Sequence, residues 1–157
     1  MADLLVRLYD QTFTDPVFDR LNEEGIIIKR ALAPEKQAVV DWVAGHFGAG
    51  WASECGCAFA APPIPCYIAV FQQKIIGFAC YETTWKCFFG PTGVDPAYRG
   101  KGIGKALLLK CLEGLRDLGY AYAIIGSAGP VDFYVKNCQA MVIENSSPGI
   151  YRDMFRG

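Results

Sequence analysis

Short apolar runs alternate with turn-forming clusters along the chain, and their spacing assigns most of it to elements. Ile26-Ile27-Ile28 reads as a short buried strand, after which Ala33-Pro34-Glu35 opens an amphipathic helix carrying Val39, Val40, Trp42 and Val43 toward one side. Gly45, Gly48 and Gly50 interrupt that helix, and Trp51 to Phe59 reads as a second one, stopped by Pro62-Pro63-Ile64-Pro65. Three strands follow as an antiparallel meander: Cys66 to Phe71, Lys74 to Thr83 after a Gln72-Gln73 turn, and Cys87 to Val94. Pro91 has no N–H for a ladder and Gly93 packs nothing, so the last strand is expected to bulge or part from a neighbour near its end.

From Ile103 to Leu118 the apolar positions wrap widely, as in a helix packed on a sheet, with Gly119 as its C-terminal stop. Tyr120 to Gly126 is a buried strand, and the strand–helix–strand order makes it parallel to the one ending at Val94. A helix from Val131 to Cys138, a strand from Met141 to Glu144, a loop from Asn145 to Gly149 and a closing strand from Ile150 to Phe155 complete the pattern. With 157 residues and no low-complexity linker, residues 1–157 are expected to form one domain.

The most informative segment is the turn Arg99-Gly100-Lys101-Gly102-Ile103-Gly104-Lys105, between a strand and a long helix. Its glycines let backbone N–H groups approach a ligand closely, and the helix start adds unpaired donors and the positive end of a dipole, which suits phosphate. Spacing narrows the guest. No G-x-x-x-x-G-K-[ST] string is present, which removes the main support for magnesium-nucleotide hydrolysis. The dinucleotide fingerprint also fails, because Lys105 stands where its third glycine belongs.

Charge and cysteine content sharpen the picture. A net charge of −1 and a pI near 5.8 argue against a nucleic-acid surface, yet Arg99, Lys101, Lys105 and Lys110 make a basic island around the turn. That island suits a small polyanion; the plainer reading is a solvated helix face. The 7 cysteines include no C-x-x-C pair, and His46 is the only histidine, so no metal site is expected and the thiols read as small buried residues in a reducing compartment. Met1 to Phe13 is broken by Asp3, Arg7 and Asp10, which leaves neither a signal-peptide core nor a membrane span, and a cytoplasmic location is expected.

Arg99-Gly100-Lys101-Gly102-Ile103-Gly104 resembles the Gln/Arg-x-x-Gly-x-Gly/Ala loop of the GCN5-related N-acetyltransferases, and Phe133-Tyr134-Val135-Lys136 is similar to the family's Phe-Tyr-x-Lys segment. Over roughly residues 24–155 the element order is also similar. The resemblance implies an α/β fold with a mostly antiparallel twisted sheet of about 6–7 strands, a central splayed parallel pair and about four flanking helices. It implies acetyl-coenzyme A as co-substrate, with no metal, and an amine acceptor from a small molecule or peptide, attacked directly in a ternary complex.

Carried onto this chain, the resemblance places the pantetheine arm along Thr92-Gly93-Val94, with the N–H near Val94 stabilising the developing oxyanion. Backbone donors from Arg99, Gly100, Lys101, Gly102, Ile103, Gly104 and Lys105 would hold the pyrophosphate. Tyr134 would protonate the departing thiolate. Ser127 stands where many relatives carry an asparagine on the pantetheine arm, and Gln139-Ala140 where they carry Gly-Phe. No carboxylate lies on the strand before the turn, so Glu82 is the nearest candidate base, with Asp132 behind it; both read more readily as solvent-facing charges. Trp42, Phe47, Trp51, Phe59 and the Tyr151 region are candidates for the acceptor side, and Glu54, Glu82 and Asp132 for attracting a cationic amine. The alternative on the same fold is a non-catalytic acyl-coenzyme A sensor. Apolar Ile150, Met154 and Phe155 suit a homodimer contact.

Overall fold

The computed structural model describes all 157 residues as a seven-stranded open sheet with helices on both faces. In chain order the elements are β1 (Leu4–Arg7), α1 (Pro16–Glu23), β2 (Ile26–Arg30), α2 (Lys36–Phe47), α3 (Ala49–Ala58), β3 (Cys66–Phe71), β4 (Lys74–Tyr81), β5 (Phe88–Val94), α4 (Ile103–Asp117), β6 (Tyr122–Ile125), α5 (Val131–Cys138) and β7 (Met141–Val142). The strand order is β2-β3-β4-β5-β6-β1-β7. Every neighbouring pair is antiparallel except β5 and β6.

Two cores sandwich the sheet. The larger joins β1, α1 and α4 through Leu4, Val6, Leu21, Leu107 and Leu112, while the smaller lies beneath α2 and α3 around Val39, Val43, Cys55 and Phe78. Glycines at close crossings let the layers meet. A Cβ on Gly114 in α4 would stand 2.5 Å from the Tyr81 ring, whose hydroxyl accepts a 2.8 Å hydrogen bond from Arg30 and so is not free to move aside. Gly114→Ala is expected to lower stability by about 1 to 3 kcal/mol through overpacking. The check is a denaturant titration, with a lower midpoint at unchanged slope.

Three elements depart from the sequence expectation. The N-terminal residues expected only to lack a leader form β1, which pairs with β6 over Leu4↔Ile125 to Arg7↔Tyr122, so the sheet begins well before residue 24. The helix α1 was also unforeseen. Asp15 caps it by accepting from Val17 N at 2.8 Å, with Pro16 as its first residue, and Val17 and Leu21 fall on its buried side. The closing strand expected at Ile150 to Phe155 does not form: Gly149–Tyr151 makes a single 3-10 turn, with Gly149 at φ +62°. β1 already occupies the place between β6 and β7, so the C-terminal residues find no free edge there. Five helices flank the sheet, against the expected four or so, and none is long and apolar enough to cross a membrane.

Candidate functional site

The site begins where β5 leaves β6. The two strands pair only at Phe88↔Ile124 and Phe89↔Ile125, and from Gly90 onward β5 follows β4 alone. Pro91 is buried in the parted segment, where its missing N–H costs no ladder bond. Gly77 stands opposite Val94, and Asp95 N donates to the Ile76 carbonyl at 2.9 Å, so bonds to β4 fall at Gly93 and Asp95. The N–H groups of Thr92 and Val94 therefore turn the other way, into the gap. Gly93 is obligatory for packing: a Cβ there would collide with the Phe47 ring laid on it.

Beyond β5 the glycine turn supplies more free donors. Gly100 and Gly102 adopt φ of +82° and +89°, and α4 starts at Ile103, so its first donors have no helical acceptor. None of the backbone N–H groups from Gly100 to Lys105 donates to another group of the chain. The Arg99 N–H, expected among the pyrophosphate donors, instead donates to the Pro96 carbonyl at 3.5 Å. Arg99 Nε donates to the Val94 carbonyl at 3.2 Å, fixing the turn to the end of β5. Lys105 pairs with Asp15 at 2.8 Å and lines a small hollow of about 240 Å³ with Lys136 and the segment from Asp10 to Asp15. This pair, and then the bond from Val17 N, hold Asp15 below its ordinary value. Its stabilising effect is complete above the unfolded carboxylate value and is lost only as pH falls through the lowered one, so the pair is constant at neutral pH.

A cleft of about 780 Å³ opens where the strands part and is lined by Phe89, Thr92, Ser127, Tyr134, Trp51 and Trp85. Thr92, Ser127 and Tyr134 thus line one cleft, whereas Gly93 and the side chain of Val94 are not part of its lining. Tyr134 projects from α5 between Phe89 and Phe133, with ring centroids 6.1 and 5.0 Å away. Burial, and then the neighbouring Cys138, push its phenol up to about 12. Its hydroxyl has no protein partner and faces the cleft. Ser127, at φ +47°, donates its N–H to Asp3 at 2.8 Å, which leaves its hydroxyl free.

Glu82 does not reach the cleft. Its φ of +62° turns the chain out of β4, and its two oxygens accept from Cys87 N at 2.5 Å and the Tyr120 hydroxyl at 2.8 Å. It is a turn lock between β4 and β5. Asp132 is exposed on α5 and also lies outside the cleft. Glu54 of α3 does line it, accepting from the Thr84 hydroxyl at 2.6 Å. Of the aromatic candidates, Trp51 and Tyr151 line the cleft, while Trp42, Phe47 and Phe59 pack against the smaller core.

Two participants were not visible in the sequence. Trp85, 60% exposed, enters the cleft wall from the β4–β5 loop. Arg20 of α1 stands against the turn, where a Cβ on Gly102 would come within 2.7 Å of its guanidinium. Reading the Asp15-Pro16 helix start, with apolar Val17 and Leu21 one turn apart, would have announced α1; nothing local announces that it docks on the turn.

The family model described as the acetyltransferase (GNAT) family matches residues 7–138. Among solved structures, the chain is similar to a GCN5-related glucosamine N-acetyltransferase region of a fungal multi-domain GH3 β-N-acetylglucosaminidase: 18% identity, TM-score 0.73, covering 90% of this chain and 19% of that one. It is also similar to a GCN5-related N-acetyltransferase from Sphaerobacter thermophilus (18% identity, TM-score 0.64, 90% of this chain and 48% of that). A third, from Kribbella flavida, shares 14% identity at TM-score 0.61 over 90% of this chain and 53% of that. These likenesses establish the fold, and the chain spans about half or less of each of those structures. No curated protein matches it.

Proposed function

Because the chain belongs to the acetyltransferase (GNAT) family, we propose that it moves an acetyl group from acetyl-coenzyme A to a primary amine held in the same cleft, within one domain spanning residues 1–157. The observation that carries this reading is the run of unpaired backbone donors, from Thr92 and Val94 on the parted strand to residues 100–105 on the turn. The pantetheine arm pairs along the parted strand like an added strand, and the pyrophosphate takes the donors of the turn.

The amine nitrogen attacks the thioester carbon, and the Val94 N–H stabilises the oxygen as it gains charge. The carbon–sulfur bond then breaks, and Tyr134 gives its proton to the leaving thiolate. The attacking amine loses a proton to water in the cleft, with Glu54, rather than Glu82, as the carboxylate that draws a cationic acceptor in. The acceptor wall suits an amino sugar: the Trp51 and Trp85 rings offer faces for a sugar ring, and Glu54 and Thr84 offer hydrogen-bonding groups beside them. The fungal relative acts on glucosamine by its description, so hexosamines head the acceptor panel.

The test has two stages. Acetyl-coenzyme A, but not ATP or NAD, is expected to raise the melting temperature, since a ligand of the native state stabilises by mass action. Thiol release is then followed against hexosamines, polyamines, amino acids and peptides. Release with no amine of the panel would leave a binding module only, and no stabilisation would remove the cofactor assignment.

Arg20 offers a narrower check. Its guanidinium beside Gly102 adds a charge-assisted contact to the pyrophosphate. Arg20→Ala is expected to weaken acetyl-coenzyme A about tenfold, the cost of one such bond, with turnover at saturation unchanged. Calorimetric titration and a saturation curve read the two effects separately.

A further inference from the structure

One cluster of reactive side chains takes no part in the proposed transfer. Cys55 on α3, Cys66 at the start of β3 and Cys80 near the end of β4 are each 0% exposed, and their Sγ atoms all lie within 4.8 Å of one another. Separations of 11 and 14 residues between its members hide this in the sequence. The fold makes it. Cys66 and Cys80 face each other across the β3–β4 pair. Tyr81 N donates to the Pro65 carbonyl at 3.1 Å, so the ladder bonds fall on the flanking pairs and the two cysteines occupy the closer, non-bonded kind of site. Cys55 closes the triangle from the helix above.

The donor set and its surroundings select the guest. Sulfurs that already lie within 4.8 Å of one another need only a modest inward shift to bind one ion at about 2.3 Å each. Soft thiolates reject magnesium and calcium. Zinc wants four ligands, and this pocket offers three, with no histidine or carboxylate grouped with them and no exposure to admit water. Charge decides the rest. Three thiolates leave a net −2 on a monovalent ion, −1 on a divalent one and zero on a trivalent one. Around them are Ala31, Val39, Val43, Ala52, Ile68 and Phe78, which carry no compensating charge. The one charged residue among the buried ones, Asp3, is engaged with Ser127. A buried net charge without a partner is costly, so the neutral complex is favoured.

We propose that Cys55, Cys66 and Cys80 form a binding site for one three-coordinate, thiophilic trivalent ion of the arsenite and antimonite class. With arsenous acid the step balances without electron transfer: three S–H and three As–O bonds break, three As–S bonds form, and three waters leave. Once formed, the complex ties α3 to β3 and β4.

The test uses the reduced full-length chain incubated with arsenite. High-resolution native mass spectrometry is expected to show one arsenic gained and three hydrogens lost per chain, and the melting temperature is expected to rise. Cys55→Ala, Cys66→Ala and Cys80→Ala should each abolish that species, while Cys57→Ala, at an exposed position, should keep it. Where an alanine leaves the chain without a cooperative melt, serine at the same position preserves volume and still removes the sulfur. No uptake by the unaltered chain, uptake that survives the three substitutions, or loss with fewer than three hydrogens would each overturn the proposal. A larger melting shift with zinc than with arsenite would overturn the trivalent assignment.

Discussion

Replacing Tyr134 by phenylalanine is expected to lower turnover about 100-fold or more while leaving the affinity for acetyl-coenzyme A nearly unchanged, the scale usual for loss of a positioned general acid. The substitution removes one oxygen and keeps the ring between Phe89 and Phe133, so the packing around α5 survives. Only the proton donor goes. The phenol has no protein hydrogen bond to lose, and its value is pushed up to about 12 by burial, so the acid form is present at every pH below that range. A pH–rate profile for the unaltered protein should therefore show no loss of the acid between neutrality and about pH 10. An unchanged turnover in Tyr134→Phe, or a fall in turnover matched by an equal loss of cofactor binding, would sink the assignment.

The second large effect belongs to the turn. Gly102 caps α4 at φ +89°, and a Cβ there would come within 2.7 Å of both Val17 and the Arg20 guanidinium. Gly102→Val adds left-handed backbone strain, of about 1 to 3 kcal/mol, to a collision with α1. The relaxed turn no longer presents the donors of residues 100–105 together. Acetyl-coenzyme A is expected to bind roughly 30- to 100-fold more weakly, the upper part of that strain converted to affinity. Turnover at saturating cofactor should change far less, because Tyr134 and the parted strand are untouched. Titration of the variant with acetyl-coenzyme A, alongside its thermal melt, separates lost binding from lost fold; unaltered affinity would show that the turn does not hold the cofactor.

The two variants act on different parts of one path, and the geometry explains why. β5 connects them: its parted half carries the donors of Thr92 and Val94, and its end feeds directly into the turn through the Arg99 bond to the Val94 carbonyl. In the proposed reaction the acceptor enters past Trp51, Glu54 and Trp85, which line the same cleft. The thioester carbonyl is thus the natural meeting point of the two halves of the cleft.

What could be read along the chain was local. The left-handed glycines at 100 and 102, the helix start at Ile103, the break in pairing at Pro91 and the placing of Tyr134 on an eight-residue helix all follow from rules acting over a few residues. Glycine supplies a conformation, proline withholds a donor, and apolar spacing sets a period. Even the overlooked β1 and α1 carried such signals, in the alternation around Leu4, Val6 and Leu8 and in the Asp15-Pro16 start.

Tertiary structure alone decided which of those pieces meet. Leu4 finds Ile125 across the sheet, and in doing so removes the edge that a closing strand would have used. Glu82 is drawn into a turn lock by Tyr120, while Glu54 lines the cleft. Lys105 turns to Asp15, Arg20 reaches Gly102, and three scattered cysteines converge beneath α3. Each of these pairings joins residues far apart in the chain, whose approach is set by how the two cores fill and not by any spacing between them. Local rules made the glycine turn and its unpaired backbone donors legible; folding chose the side chains that surround them.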